Sequence, residues 1–272
     1  MAEVAVIGAV GSSVSMDVDH FHVGGETIFA KSAHREFGGK GFNRAVAAAR
    51  QGVKTSFLAA CGAEDLGPMS DFFRSEGIEA RLVPDATKPS DFASIITDRA
   101  GTTHVTVYPG AALKPEDADG FAAAIARADV LVLDNEVPQE VNARAAEIAA
   151  ANGVKVILNP APQRPLPSAF ASRVAIFTPN EFETQGLEAV SGEVVETLGP
   201  RGCRIRSTGE VIPPADCGPA VDTTGAGDTF NGVLAARLAE GEALADACRA
   251  ANAAAGESVT KRYVLPAIPR RR

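Results

Sequence analysis

The segment Asp222-Thr223-Thr224-Gly225-Ala226-Gly227-Asp228-Thr229-Phe230 carries the most information in the chain. It leaves a Pro-rich stretch and enters a run with apolar residues at Phe230, Val233, Leu234 and Leu238, the spacing of a helix facing a core. Gly225, Ala226 and Gly227 place successive backbone N–H groups at the N-terminus of that helix, an anion-binding arrangement. Asp228 falls in the same first turn, where the helix dipole favours an ionised carboxylate. A carboxylate beside an anion hole suits phosphoryl transfer to an alcohol: one group takes the proton, and the others stabilise charge on the transferring phosphoryl. An ordinary helix cap with an acidic first turn is the competing reading, and the small residues around Asp228 weigh against it. A dinucleotide fingerprint is excluded, because Phe230 takes the place of its third glycine and the segment comes too late in the chain.

A second glycine motif, Phe37-Gly38-Gly39-Lys40-Gly41-Phe42-Asn43, opens another helix. Its glycines let backbone approach a ligand closely, and Asn43 adds an amide. Gly41 follows Lys40 where a Walker A loop needs Ser or Thr. A tight turn before a helix explains this segment about as well as a polyol site does.

Between the motifs, apolar β-branched runs alternate with Ala-rich helical stretches. Strands are expected at Val4 to Ile7, Val53 to Ala60, Val130 to Leu133, Val154 to Leu158 and Val174 to Phe177. Helices are expected at Asn43 to Gln51, Pro68 to Ser75 and Pro138 to Ala151, stopped by Gly52, Gly77 and Gly153. This rhythm predicts an α/β fold with a mainly parallel sheet covered on both faces. Two segments depart from it. Val14 to Ala30 alternates like a strand, and Phe92 to Val107 reads as strand, turn and strand about Asp98-Arg99-Ala100-Gly101. They predict a small antiparallel flap beside the main sheet, either a lid that excludes water from a cleft or a plain edge extension.

Composition narrows the class. Lys and Arg number 26 against 34 Asp and Glu, a net charge of −8, which argues against a nucleic-acid or membrane-surface binder. No apolar run is long enough to span a membrane. Cys61, Cys203, Cys217 and Cys248 are scattered, which reads as free thiols in a reducing cytoplasm. His20 and His22 alternate on an expected strand, a weak two-histidine metal pattern. The N-terminus enters a strand directly, with no signal-peptide pattern. A single cytoplasmic domain over residues 1–272 is expected, with the lid formed by about residues 11–36 and 90–108 inserted in it.

The two glycine motifs closely resemble the two signatures of the ribokinase family, the PfkB family of carbohydrate kinases. Gly25-Glu26-Thr27, Pro109-Gly110-Ala111-Ala112-Leu113, Asn159-Pro160-Ala161-Pro162, Thr178-Pro179-Asn180-Glu181 and Thr197-Leu198-Gly199 follow in the family's order. The resemblance implies a three-layer α/β/α sandwich with a β lid, and ATP-dependent phosphorylation of a hydroxyl on a sugar or sugar-like molecule. It implies Asp228 as general base and Gly225, Ala226 and Gly227 as the anion hole. It makes Gly38, Gly39, Asn43, Glu136 and the Ser13 position substrate contacts. It sets Asn180 and Glu183 beside the phosphates and Mg²⁺, and Thr197 and Gly199 in the nucleotide pocket. Asp222 and Thr224 resemble part of a monovalent-cation site, and the lid implies a homodimer. A nucleoside or pseudouridine kinase of the same family, and a non-catalytic sugar-binding protein on the kinase fold, are the alternatives.

The sequence also departs from the family. Ribose kinases carry Asn and Asp where this chain has Gly11 and Ser13. A serine cannot replace charge-assisted bonds worth about 1.5–3 kcal/mol each, so ribose is expected to be a poor substrate. Residues Thr184 to Glu193 are too few and too rich in Gly and Ser for the family's crossover helix. The chain also stops soon after Pro269, short of the family's last helix. Tyr263 stands where the family's potassium loop has glycine, which argues against activation by K⁺.

Overall fold

The first apolar run forms strand β1 (Glu3–Ile7), with every residue buried. In the computed structural model, which describes residues 1–271, the chain continues through β2 (Gly11–Asp17), β3 (Ser32–Gly38), α1 (Lys40–Arg50), β4 (Lys54–Gly62), α2 (Leu66–Ser75), β5 (Ile78–Asp85), β6 (Asp91–Thr97) and β7 (Thr103–Tyr108). It then forms α3 (Pro115–Asp119), α4 (Ala122–Arg127), β8 (Val130–Asp134), α5 (Gln139–Ala151), β9 (Lys155–Asn159), α6 (Ser168–Ala171), β10 (Ile176–Phe177) and β11 (Glu193–Thr197). The last elements are β12 (Cys203–Ile205), β13 (Val211–Ile212), α7 (Ala226–Ala239), α8 (Leu244–Ser258) and α9 (Val264–Ala267).

Among the described residues the strands make two sheets. The larger has the order β13-β12-β11-β10-β9-β8-β1-β4-β5. From β11 to β5 every pairing is parallel, and only the β11–β12 and β12–β13 pairings at one edge are antiparallel. Alternate residues of β1 enter opposite cores: Val4 and Val6 pack towards α1, α7 and α8, Ala5 and Ile7 towards α3, α4 and α5. Strands covered on both faces need apolar residues at every position, which is why β1, β8 and β9 read as unbroken apolar runs. From β1 the chain builds outward through β4 and β5, and then returns to build the other way from β8. The crevice at the carboxyl ends of β1 and β8 is therefore a topological switch point, where α/β sheets bind ligands.

The smaller sheet, ordered β3-β2-β6-β7, stands where the flap is expected, but it is mixed and not antiparallel: two antiparallel pairs, β3–β2 and β6–β7, join through a parallel β2–β6 pairing. Its β6–β7 turn is organised by Asp98, whose Oδ1 accepts the N–H groups of Ala100 and Thr102 at 2.9 Å each. The strand expected to run to Ala30 stops at Asp17. Residues 18–31 form an irregular excursion, closed where the Lys31 N–H meets the Asp17 carbonyl at 2.8 Å. His20 and His22 thus lie off any strand, and His20 Nε2 is 2.9 Å from Glu26 Oε1. The return strand β3 escapes the sequence pattern because its residues are mostly polar and half-exposed. Strand β5 escapes because Glu79 and Arg81 interrupt its apolar run and Pro84 stands near its end. The connection from β10 to β11 crosses by turns with no helix, as its composition predicts.

Two close approaches hold the helices that carry the glycine motifs. A Cβ on Gly41 would lie 2.5 Å from the Gly8 Cα, so α1 rests directly on the end of β1. A Cβ on Gly232 would lie 2.5 Å from the Arg44 carbonyl oxygen and 2.6 Å from the Ala47 Cβ, so α7 rests directly on α1. Gly232→Ala is expected to lower the unfolding free energy measured in urea. The overpacking cost of about 1–3 kcal/mol exceeds the roughly 1 kcal/mol of helix propensity gained.

Candidate active site

The close contact of α1 with α7 brings their first turns together. Gly225 takes a left-handed conformation (φ 75°) and turns the chain into α7, which sets Asp228 in the first turn. Its Oδ2 accepts the Asn43 Nδ2–H at 2.9 Å, and its Oδ1 lies 3.1 Å from Arg44 Nη2. Asn43 and Arg44 both come from the start of α1, which is anchored by the Phe42 N–H on the Ala9 carbonyl.

Arg44 is only 1% exposed. Its Nη1 donates to Asp134 Oδ2 at 2.7 Å and its Nη2 to Asn159 Oδ1 at 2.8 Å. Asp134 ends β8 and is wholly buried; its Oδ1 accepts the Glu136 N–H at 2.8 Å. Burial pushes the Asp134 carboxyl above the usual carboxylate range, and the Arg44 guanidinium opposes that push. The polar chain runs on: Asn159 Nδ2 donates to the Thr178 carbonyl, Thr178 Oγ1 to Asn231 Oδ1, and Asn231 Nδ2 to the Gly227 carbonyl. Hydrogen bonds, the Arg44–Asp228 ion pair and the Gly227–Asp228 peptide thus form a polar ring that ties Asp228 to α1, to the ends of β8 and β9, and back to α7. Sequence reasoning missed Arg44 and Asp134. The available signal was a charge at the end of the apolar run Val130 to Leu133 and another directly before the run Ala45 to Ala49 in α1.

Two cavities meet at Asp228. One, of about 480 Å³, lies between the small sheet and the main body; it is lined by Ser13, Gly38, Gly39, Asn43, Asp91, Glu136, Asp222 and Thr224, among others. The other, of about 830 Å³, is lined by Asn180, Glu183, Thr197, Gly199, Ala226 and Gly227, among others. Lys40, Thr223, Gly225 and Asp228 border both. Every residue that the family resemblance marks as a site candidate therefore lines one cavity or the other, whereas His20 and His22 line neither. Glu136 stands on the wall of the first, 3.9 Å from Lys40 Nζ and a third open. Partial burial, and then the Asp134 carboxylate, push its carboxyl up to about 7. Asp222 is occupied locally: Oδ1 accepts the Thr224 N–H at 2.9 Å, and Oδ2 the Tyr263 N–H at 3.2 Å. Tyr263 holds φ at 65°, the region that favours glycine, and stacks on His34 of β3 with ring centres 3.8 Å apart. In the second cavity Asn180 caps its own loop, with Oδ1 accepting the Phe182 N–H and its N–H donating to Glu183 Oε2.

Comparison with known proteins agrees with this geometry. The family described as pfkB family carbohydrate kinase matches residues 1–271. A ribokinase of Haemophilus influenzae is 33% identical over 290 aligned positions, covering 98% of this chain and 95% of that one. The crystal structure of a ribokinase from Thermotoga maritima superposes with a TM-score of 0.88 at 30% identity, over 99% of this chain and 97% of that one. An Arabidopsis thaliana ribokinase solved with ribose and ATP gives 0.86 at 25% identity, over 99% and 96%. The chain belongs to the pfkB family of carbohydrate kinases, enzymes that move a phosphoryl group from ATP to a hydroxyl of a sugar. No helix among the described residues is long and apolar enough to cross a membrane.

Arg44→Met strands two buried carboxylates and is expected to cost about 3–5 kcal/mol of stability in urea unfolding. Removing the second charge as well, in Arg44→Met/Asp134→Leu, is expected to restore most of that loss.

Proposed function

We propose that Asp228 is the general base of this kinase, taking the proton from a substrate hydroxyl in the smaller cavity as the phosphoryl group arrives from the larger. The carrying observation is its position at the junction of the two cavities, in the first turn of α7. Asn43 and Arg44 hold the carboxylate oriented. Ala226 and Gly227, at the start of α7, line the larger cavity, and the positive end of that helix suits the charge that develops on the transferring phosphoryl. Lys40, bordering both cavities, adds a mobile positive charge between them.

The larger cavity takes the nucleotide, with Thr197 and Gly199 on its wall and Asn180 and Glu183 near its phosphates. One carboxylate and one amide, without a cluster of three or more ligating side chains among the described residues, suit a hard cation that keeps its water and phosphate ligands. Mg²⁺ bound there, held by Asn180 and Glu183 through water, would neutralise phosphate charge. A monovalent cation fits Asp222 and Thr224 poorly, because each Asp222 oxygen already takes a backbone N–H and Tyr263 closes the loop beside it.

The small sheet serves as a lid over the sugar and excludes water from the transfer. Three contacts seat it on the body: Arg262 donates to Asp17 Oδ1 at 2.6 Å, Glu36 accepts the N–H groups of Val264 and Leu265, and Tyr263 stacks on His34. The outer strand β7 leaves Val105 and Val107 about three-fifths exposed (58% and 60%), which supports a homodimer formed through the lid. Buried free thiols at Cys61, Cys203 and Cys248 suit a cytoplasmic setting.

Asp228→Asn is expected to fold normally and to lose about 10²–10⁴-fold in kcat, measured by ADP release across a panel of sugars and nucleosides. Near-native turnover in that variant would remove Asp228 from the mechanism. A wild-type chain that binds sugars without releasing ADP would point to the non-catalytic reading. In the same assay ribose is expected to fall below the best sugar, and exchanging K⁺ for a bulky organic cation is expected to leave the rate essentially unchanged.

A further inference from the structure

The row of the lid nearest the body is formed by Gly38 of β3, Gly11 of β2 and Asp91 of β6, which pair directly across the three strands. Two of the three have no side chain, so Asp91 alone projects from this row. The space it uses depends on that pattern: a Cβ on Gly11 would lie 2.1 Å from the Asp91 carbonyl oxygen and 2.7 Å from its Cβ. The segment is fixed on both sides. Gly62 N–H donates to Ser90 Oγ at 2.8 Å, and Ala111 N–H to the Pro89 carbonyl at 2.9 Å.

Asp91 Oδ1 accepts the Gly110 N–H at 2.7 Å. Among the described residues no Lys, Arg or His pairs with this carboxylate, and Oδ2 has no hydrogen-bond donor, although Asp91 lines the same cavity as Ser13, Asn43 and Asp228. Desolvation is the main influence on the group and raises its pKa above the usual carboxylate value; the Asp134 charge adds to it, against the Gly110 hydrogen bond. A partly desolvated carboxylate with one unused oxygen stabilises nothing by itself. It gains when a ligand brings the missing donor.

We propose that Asp91 is a specificity-determining residue, whose Oδ2 accepts hydrogen bonds from one hydroxyl, or from an adjacent pair, of a neutral polyol. These hydroxyls are distinct from the one that Asp228 deprotonates, and the proposal rests on the kinase reading above. Ser13, on the neighbouring strand, contributes a second, weaker contact. The same carboxylate selects against anions. Arg262, the other cation on this cavity, is already paired with Asp17, and Lys40 is left facing Asp91, Glu136 and Asp228. A substrate that already carries a phosphate or carboxylate is therefore disfavoured.

The test takes the neutral sugar with the highest kcat/KM, its monodeoxy analogues and its monophosphate, and compares wild type with Asp91→Asn and Asp91→Ser. Thermal melting checks folding, and calorimetry reads sugar binding without nucleotide. Both variants are expected to melt like wild type and to raise KM and the calorimetric Kd by about 10–100-fold, Ser more than Asn, with a smaller effect on kcat. At least one deoxy analogue is expected to show little further loss in the variants, because it already lacks the hydroxyl that Asp91 holds. The monophosphate is expected to bind the wild type weakly. KM and Kd within about twofold of wild type in both variants, or an equal loss on every analogue, would overturn the proposal. Absence of ADP release by the wild type with every sugar would instead overturn the kinase reading, and calorimetry would still test Asp91.

Discussion

The site depends on one buried guanidinium. Arg44 lies in the interior between Asp134 and Asp228, and its remaining contact is an asparagine. A buried charge is tolerable only when paired and hydrogen-bonded, so the three ions are mutually conditional. The constraint fixes more than charge. Arg44 can reach both carboxylates only if α1 sits directly on β1 and α7 directly on α1, and the glycines at 8, 41 and 232 allow those two approaches. The polar ring then ties the sheet ends to the first turn of α7, so the Asp228 carboxylate is held by the same contacts that pack the helices.

The sequence made the main sheet legible because its strands are buried on both faces and read as apolar runs, and because glycines stop the helices between them. The lid was half legible. Its β6–β7 hairpin announces itself through Asp98 and Gly101, but β3 does not, because a polar strand on a thin sheet has no apolar face to advertise. The glycine motifs exposed Asp228, Asn43 and the start of α7, since phosphate chemistry needs backbone N–H groups and leaves a glycine trace. Arg44 and Asp134 were opaque for the opposite reason. A charged residue in a helix normally faces water, and only the packing reveals that this one does not.

The two cavities differ in how they treat charge. The larger is lined mainly by glycines, prolines and polar loops, which on the proposed reading lets an acidic chain receive a polyphosphate without a basic surface. The smaller carries carboxylates, and the lid contributes one of them from a row otherwise emptied of side chains. On the proposed reading, substrate selection and closure are built into the same small sheet, because the strands that border the smaller cavity also carry Ser13 and Asp91.

The polar ring around Arg44 also bears on how the enzyme fails. Its members belong to the interior as well as to the proposed site, so damage there lowers the barrier to unfolding. A cell carrying a substitution at Arg44 would see scarce enzyme, cleared by its proteases, more than abundant enzyme that is slow.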